Sequence, residues 1–341
     1  IHQLKGNVPK KKMDKQKKII IDTDPAMGTK GGDPEDCFAI MMALNSPELE
    51  IIGITTVQGN VPVERGYSNA AYLLNEFNRD IPLKAGPSHT FDKKRNKERI
   101  WLSQREDMEQ LTPLLKPERD KQDAASFIYE SCKKNSGEIE LVTIGPLTNI
   151  AIALSNYPDL KDHVPKITMM AGAAKIPGNI TPSAEFNVWA DPEAADMVFT
   201  SGIPIVMIPL DVCHQTRMSR EELISIGENP HPFCQFIKEA VDPWINIRTD
   251  LINDAGLHLY DSLAMASVIS PNLLTYKSAY VRTETAGLLT AGETVCEFNE
   301  SIMGKILKPK FNAEVALELD VVRFNQLFQE RVTGYLRSLK S

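Results

Sequence analysis

Five acidic residues stand close together near the start of the chain, directly after an apolar run. The segment 19–40 reads IIIDTDPAMGTKGGDPEDCFAI, and its acidic residues are Asp22, Asp24, Asp33, Glu35 and Asp36. Carboxylates that converge on one point repel each other unless a cation neutralises them, and oxygen-only ligands suit Ca²⁺ or Mg²⁺. The last three carboxylates can equally serve only the start of a helix, where the helix dipole stabilises each by ~0.3–1 kcal/mol.

A second polar cluster lies in the segment SAEFNVWADPEAA, residues 183–195. Glu185 and Asn187 flank Phe186, so in an extended segment both side chains face the same side. A carboxylate beside an amide is a good pair for binding hydroxyl groups. Taken alone, the segment is equally consistent with a turn that carries ordinary surface polar residues.

Composition restricts the class of protein. The 341 residues are 42% hydrophobic and 24% charged with a net charge of −7, which is typical of a soluble globular protein and disfavours nucleic acid as a partner. No run of about 18 apolar residues is present, so we expect no transmembrane helix. Five scattered cysteines without a CxxC pair indicate free thiols in a reducing compartment, so we expect an intracellular, cytoplasmic protein.

Apolar β-branched runs alternate with helical patterns along the chain. Strands are predicted at 19–22, 50–57, 82–86, 139–145, 167–172 and 203–211. Helices are predicted at 34–46, 62–78, 122–135, 147–156 and 191–201. Continuous apolar strands separated by helices are typical of a parallel sheet that is covered on both faces. We therefore predict an α/β, Rossmann-like fold with a mostly parallel central sheet, in which ligands bind at the carboxyl ends of the strands.

Four other stretches complete the predicted organisation. Residues 216–266 are mostly helical, 278–298 form extra strands with a turn, and 321–338 form a closing helix. Residues 90–122 are charged and weakly patterned, which favours a long loop or an insertion. Residues 1–16 are predicted to be a disordered basic leader or a remnant of cloning, followed by a single domain over 17–341.

A DxD motif after an apolar strand also occurs in phosphatases that form an aspartyl-phosphate. Those enzymes carry D-x-D-x-T/V at this place, whereas Ala26 stands here at the position of the Thr or Val. The chain also has no convincing late acidic motif of their type at a strand end. This phosphatase interpretation is kept as an alternative.

Seven motifs together resemble the inosine-uridine-preferring nucleoside hydrolases. In chain order they read IIIDTDPAM…EDCFAI, ITTVQGN, TIGPLTNIAIAL, MMAGA…GNITPSAEFNVWADPEAADMVF, PLDVCHQT, YDSLAMA and LLTAGETVCEF. The resemblance extends from about residue 17 to residue 335. It implies hydrolysis of the N-glycosidic bond of ribonucleosides on a Rossmann-like fold with bound Ca²⁺, and a homodimer or homotetramer.

The resemblance also implies a role for each matching residue. Asp22 would ligate calcium and take a proton from the calcium-bound water. Asp24 would support the calcium ligands without binding the metal itself. The other implied calcium ligands are Asp36, Asp261 and the backbone carbonyl of Ile144. The implied ribose contacts are Asn60, Met170, Asn179, Glu185 and Asn187. Glu35 matches a position that touches a ribose hydroxyl, although the inserted stretch GTKGGDP (28–34) leaves open whether Asp33 takes that role.

The residue that protonates the leaving base departs from the family pattern. Tyr260 stands where many members have a His directly before the late calcium-binding Asp. The candidates for contact with the base are Tyr260, His258, Arg248 and Trp244, with Tyr260 and His258 as possible catalytic groups. Because an aromatic ring stacks well on a purine, we expect inosine and guanosine to be preferred. A non-catalytic nucleoside-binding protein is the remaining alternative.

Overall fold

Nine strands form one sheet in the computed structural model, which describes residues 15–94, 108–116, 122–252 and 256–340. The strands are β1 Lys17–Thr23, β2 Leu49–Thr56, β3 Leu83–Ala85, β4 Ile139–Thr143, β5 Ile167–Met170, β6 Ile205–Ile208, β7 Leu274–Thr283, β8 Thr294–Glu297 and β9 Ala313–Leu319. Their order across the sheet is β3-β2-β1-β4-β5-β6-β9-β7-β8. The first seven in this order pair in parallel, while β7 runs antiparallel to β9 and β8 antiparallel to β7. The predicted α/β class and mostly parallel sheet are confirmed.

Most of the helices lie where the sequence pattern predicts them, but the short helices Phe186–Ala190, Leu210–Cys213 and Ile302–Leu307 were not predicted. The helices are α1 Glu35–Leu44, α2 Val63–Glu76, α3 Ala124–Lys134, α4 Thr148–Asn156, α5 Phe186–Ala190, α6 Pro192–Phe199, α7 Leu210–Cys213, α8 Arg220–Gly227, α9 Pro232–Ile252, α10 Tyr260–Ile269, α11 Ile302–Leu307, α12 Val321–Phe328 and α13 Gly334–Ser338. A π-helical turn at Gln329–Thr333 joins α12 to α13, so the predicted closing helix is nearly continuous.

The core has two parts, one on each face of the sheet. In β1, Ile19 and Ile21 belong to one part and Ile20 to the other, as expected for alternating side chains of a strand buried on both faces. Helix α1 is buried along its whole length because its sequence EDCFAIMMAL has no polar face. It packs against α10, so the first turns of these two helices lie near each other.

Four local predictions differ from the structure. The strand predicted at 203–211 ends at Ile208, because Leu210–Cys213 form helix α7. The segment that holds Glu185 and Asn187 is not extended, because the Glu185 carboxylate accepts the backbone N–H groups of Asn187 and Val188 and so caps the short helix α5. Helix α1 begins at Glu35, one residue later than predicted, and Asp33 accepts a hydrogen bond from the backbone N–H of Glu35 (3.1 Å). Strand β9 was not predicted, and it joins the parallel and antiparallel parts of the sheet.

Some predictions fall partly or wholly on residues outside the described ranges. Residues 1–14 lie outside them, as do 95–107 and 117–121 of the predicted 90–122 loop. The single domain over 17–341 therefore stays a prediction. Within the described ranges, every helix is too short or too polar to cross a bilayer. All five cysteines are free thiols.

Candidate active site

A pocket of about 160 Å³ opens where the carboxyl ends of the central strands meet the first turns of the flanking helices. Its lining contains most of the predicted site residues. The lining residues are Asp33, Glu35, Asn60, Ile144, Met170, Asn179, Ile180, Glu185, Phe186, Asn187, Trp244, Arg248, Tyr260 and Asp261. Asp22, Asp36 and His258 do not line the pocket. Asp22 and Asp36 are fully buried next to residues that do, since the Ile144 amide bonds to the Asp22 carbonyl and Asp36 follows Glu35.

Asp22 lies at the end of β1, and neighbouring side chains hold only one of its carboxylate oxygens. Its Oδ1 accepts hydrogen bonds from the Thr55 hydroxyl (2.5 Å) and from the Asn149 amide (2.7 Å). Its Oδ2 is buried and has no hydrogen-bond partner among the described residues. Burial raises the pKa of Asp22 to about 7, although the two hydrogen bonds oppose the shift.

Asp36, in the first turn of α1, shows the same pattern. Its Oδ1 accepts the Thr23 hydroxyl (2.5 Å) and the backbone N–H of Asp24 (2.9 Å). Its Oδ2 is buried and lacks a partner within the described residues. Burial raises the pKa of Asp36 to about 6, and the hydrogen bond from Thr23 limits the shift.

Asp24 is wedged between two glycines. A Cβ built on Gly59 would lie 2.0 Å from Asp24 Oδ2, and one built on Gly145 would lie 2.7 Å from Asp24 Oδ1. Burial and the charge of Asp36 raise the pKa of Asp24 well above its ordinary value. Asp24 Oδ2 accepts the backbone N–H of Asn60 (2.5 Å), which opposes the rise in pKa, and Asp24 Oδ1 is buried without a partner among the described residues.

Glu35 connects the start of α1 to the start of α10. Its Oε2 accepts the backbone N–H groups of Asp261 (2.9 Å) and Ser262 (3.3 Å), which are 226 and 227 residues away along the chain. The N-cap residue of α10 is Leu259, whose apolar side chain cannot accept these hydrogen bonds. Burial and the charge of Asp33 raise the pKa of Glu35. This side chain caps α10 and so fixes the position of Asp261.

Asn187 and Glu185 also line the pocket. The Asn187 amide donates to the carbonyls of Ile144 (3.2 Å) and Met170 (3.1 Å), which fixes both strand ends. Glu185 also accepts the backbone N–H of Gly172 (2.9 Å), and burial raises its pKa to about 7. Asn179 accepts the backbone N–H of Phe186 through its side-chain oxygen (3.0 Å).

Aromatic and basic side chains gather at another part of the pocket. Helix α9 contributes Trp244 and Arg248, and the first residue of α10 contributes Tyr260. The ring of His258 stacks on that of Tyr260 with centroids 5.5 Å apart, and His258 Nδ1 lies 2.8 Å from the carbonyl oxygen of Thr216. His258 therefore supports Tyr260 and does not face the pocket. Burial raises the pKa of the Tyr260 hydroxyl, and the charge of Arg248 opposes this.

The inserted stretch 28–34 packs against the segment 108–111 and against helix α9. Its backbone bonds to the segment 108–111, with Lys30 N–H donating to the Glu109 carbonyl and Leu111 N–H to the Gly28 carbonyl. Gly31 has a φ of +76° and packs against α9 at the residue that precedes Arg248, where a Cβ would lie 3.1 Å from Ile247 Cδ1. The insertion places Asp33 in the pocket lining, together with Glu35.

Several residues of this site were not singled out by the sequence pattern. Thr23, Thr55 and Asn149 hold the buried carboxylates, and Ile180 and Phe186 line the pocket. Thr55 could have been identified from its type and place, since it is a threonine near the end of β2, the strand that pairs with β1. Across the described residues, no group of three or more His, Cys, Asp or Glu side chains already stands in a metal-binding arrangement. The metal roles of Asp22, Asp36, Ile144 and Asp261 therefore stay predictions.

The cap that Glu35 forms on α10 generates a test of stability. We expect Glu35→Ala to lower the midpoint of thermal unfolding, because two buried N–H groups lose their acceptor and each costs about 1–3 kcal/mol. Glu35→Gln keeps a carbonyl oxygen and should retain more of the stability. Glu50→Ala, at an exposed glutamate of β2, is the control. Equal midpoints for Glu35→Ala and Glu50→Ala would contradict the capping role.

Comparison with known proteins identifies the family. Residues 19–326 match the family described as inosine-uridine preferring nucleoside hydrolase. The non-specific ribonucleoside hydrolase RihC of Salmonella typhimurium is 37% identical over 320 residues, covering 92% of this chain and 96% of that protein. A probable uridine nucleosidase 2 of Arabidopsis thaliana is 34% identical over 284 residues, covering 82% of this chain and 85% of that protein.

A solved structure agrees with these sequence relatives. The purine-preferring ribonucleoside hydrolase from Gardnerella vaginalis has a TM-score of 0.80 and 32% identity, and the match covers 95% of this chain and 100% of that one. The family match replaces the aspartyl-phosphate phosphatase interpretation, since it extends over most of the chain. This protein belongs to the inosine-uridine preferring nucleoside hydrolases and is an N-ribosyl hydrolase, an enzyme that cleaves the N-glycosidic bond of ribonucleosides.

Proposed function

We propose that the enzyme binds Ca²⁺ and that Asp22 is the general base of the hydrolysis. The observation that supports this most directly is the state of two buried carboxylates. In Asp22 and in Asp36, one oxygen accepts two hydrogen bonds and the other is buried with no partner among the described residues. A buried ionised oxygen without a partner is costly, so the arrangement favours a cation between these groups.

The donor set suits calcium. Asp22, Asp36 and Asp261 would provide carboxylate oxygens, and Ile144 would provide its backbone carbonyl, all of them hard ligands of the kind that Ca²⁺ takes. Burial, and next the charges of Asp36 and Glu35, raise the pKa of Asp261, so these carboxylates lie near enough to interact. Bound calcium would supply positive charge that lowers the pKa of the attacking water and fixes the ribose hydroxyls beside it.

The residues of this chain then have separate tasks. Asp22, held by one oxygen, accepts the proton of the water through its second oxygen. Asn60, Glu185 and Asn187 bind the ribose, which places the anomeric carbon next to the water. As the glycosidic bond breaks, positive charge develops on the sugar ring, and the surrounding carboxylates stabilise it. Asn179 and Met170 complete the sugar site.

The base would lie between the aromatic side chains. Trp244 and Tyr260 offer stacking surfaces, and Arg248 offers hydrogen-bond donors to the acceptor atoms of a purine. The Tyr260 hydroxyl is protonated at neutral pH and can donate a hydrogen bond to the leaving base, although burial, which raises its pKa, makes it a weaker acid. These features favour inosine and guanosine, and cleavage would release purine bases for salvage.

Two further proposals concern assembly and location. The resemblance leads us to expect a homodimer or a homotetramer, and the scattered free cysteines lead us to expect an enzyme that acts inside the cell, in the cytoplasm. The relatives are named for different bases. The Gardnerella enzyme is named as purine-preferring, and the Arabidopsis relative is named as a probable uridine nucleosidase. The base preference of this chain therefore has to be measured.

Replacing the proposed base tests its role. Asp22→Asn keeps the size of the side chain but cannot accept the proton, so we expect kcat for inosine to fall by about 10³-fold or more. Ribose release, measured as reducing sugar, gives the rate, and the thermal midpoint shows whether the fold is intact. A folded Asp22→Asn enzyme with near-wild-type ribose release would overturn the assignment.

Removal of calcium tests the metal. After exhaustive chelation we expect ribose release to stop and the thermal midpoint to fall, since the carboxylates then repel each other without compensation. Calcium added at 100 times its Kd should return about 2.7 kcal/mol of stability. Magnesium should restore less, because it requires a smaller and stricter octahedral site. Unchanged activity and midpoint in the chelated protein would exclude a metal role.

A panel of nucleosides tests the preference for purines. We expect kcat/KM for inosine and guanosine to exceed that for uridine by about 10-fold, which matches a stacking contribution of about 1.4 kcal/mol. Trp244→Ala should reduce this ratio, because the larger purine loses more contact than the pyrimidine does. If uridine is cleaved as well as inosine by the wild-type enzyme, the proposed preference is wrong.

A further inference from the structure

Two neutral side chains orient the carboxylate of Asp22. Thr55 lies on β2 and Asn149 in the first turn of α4, and both donate to the same oxygen, Oδ1, at 2.5 Å and 2.7 Å. We propose that Thr55 and Asn149 are positioning residues that direct the second oxygen of Asp22 toward the attacking water and the cation. This inference depends on the proposed role of Asp22 as the base.

The strand register places Thr55 where it can act. Asp22 pairs with Thr55 on one side and with Thr143 of β4 on the other. The Thr55 hydroxyl lies 2.5 Å from Asp22 Oδ1 but 3.5 Å from its other acceptor, the Ile21 carbonyl, so its single hydrogen points to Asp22. The hydroxyl of Thr143 is equally buried but has no partner among the described residues. The two threonines are equivalent in burial and in register with Asp22, but only Thr55 donates a hydrogen bond to it.

The orientation of the Asn149 amide is determined by its surroundings. Its Nδ2 donates to Asp22 Oδ1 and also to the Thr56 carbonyl (3.1 Å), so the reversed amide would place an oxygen against two acceptors. Its Oδ1 occupies the space beside Gly86, where a Cβ would lie only 2.0 Å away. Packing and hydrogen bonding thus leave the amide one orientation.

Neutral donors suit this task better than charged ones. A lysine or arginine at either position would bind Asp22 as an ion pair and would reduce its attraction for a cation and for the proton of water. A hydroxyl and an amide hold one oxygen in place and leave the carboxylate charge uncompensated. The free oxygen then has a fixed direction, which is what a base and a metal ligand require.

Four variants test the proposal: Thr55→Val, Thr55→Ser, Thr143→Val and Asn149→Ala. Each is measured for kcat and KM with inosine, for the Kd of calcium by calorimetry on the chelator-treated protein, and for the thermal midpoint. We expect Thr55→Val to lower kcat and to weaken calcium binding, each by about 10–100-fold, while KM changes by less than about threefold. Asn149→Ala should act in the same direction.

The remaining variants separate positioning from packing. Thr55→Ser restores the hydroxyl and should return kcat and the calcium Kd to within about threefold of wild type. Thr143→Val should have the kcat and the calcium Kd of wild type, although it also removes the hydroxyl of a fully buried threonine. The proposal is overturned if Thr55→Ser fails to rescue, or if Thr55→Val and Thr143→Val behave alike. A wild-type enzyme that releases no ribose would instead refute the proposed function.

Discussion

The repulsion between buried carboxylates is the constraint on which the rest of the site depends. Asp22, Asp24, Glu35, Asp36 and Asp261 are all buried, and burial raises the pKa of each one. Such a group is tolerable only if each charge is neutralised, protonated or hydrogen-bonded. The structure uses different solutions for different members. Both Glu35 and Asp24 accept backbone N–H groups, while Asp22, Asp24 and Asp36 each keep one buried oxygen without a partner among the described residues.

This division of tasks explains why distant parts of the chain pack together. The strand end that holds Asp22 is linked through Thr55 to β2 and through Asn149 to α4. The start of α1 is linked through Glu35 to the start of α10. Each link is a hydrogen bond to a carboxylate, so the acidic cluster organises the surrounding elements as well as the chemistry. The sheet supplies the common edge at which these elements meet.

The sequence was sufficient for the fold class, because apolar strands buried on both faces and intervening amphipathic helices have distinct patterns. It was also sufficient for most of the pocket lining, since the family motifs mark the strand ends. It could not predict that Glu185 begins a helix, because a cap depends on one side chain meeting two amides. Nor could it show that His258 supports Tyr260, or that Glu35 reaches α10 226 residues later. Such contacts depend on the tertiary arrangement, which local patterns do not encode.

The glycines that surround the carboxylates have a consequence for how the enzyme can vary. Gly59 and Gly145 leave the space that the Asp24 oxygens occupy, and Gly86 leaves the space of the Asn149 oxygen. None of the three takes part in the reaction, yet a single methyl group at any of them would displace a polar side chain of the acidic cluster or its support. The arrangement of the site therefore requires glycine at these three positions as well as the acidic residues themselves. The set of positions at which a substitution would disturb this site is therefore larger than the set that does chemistry.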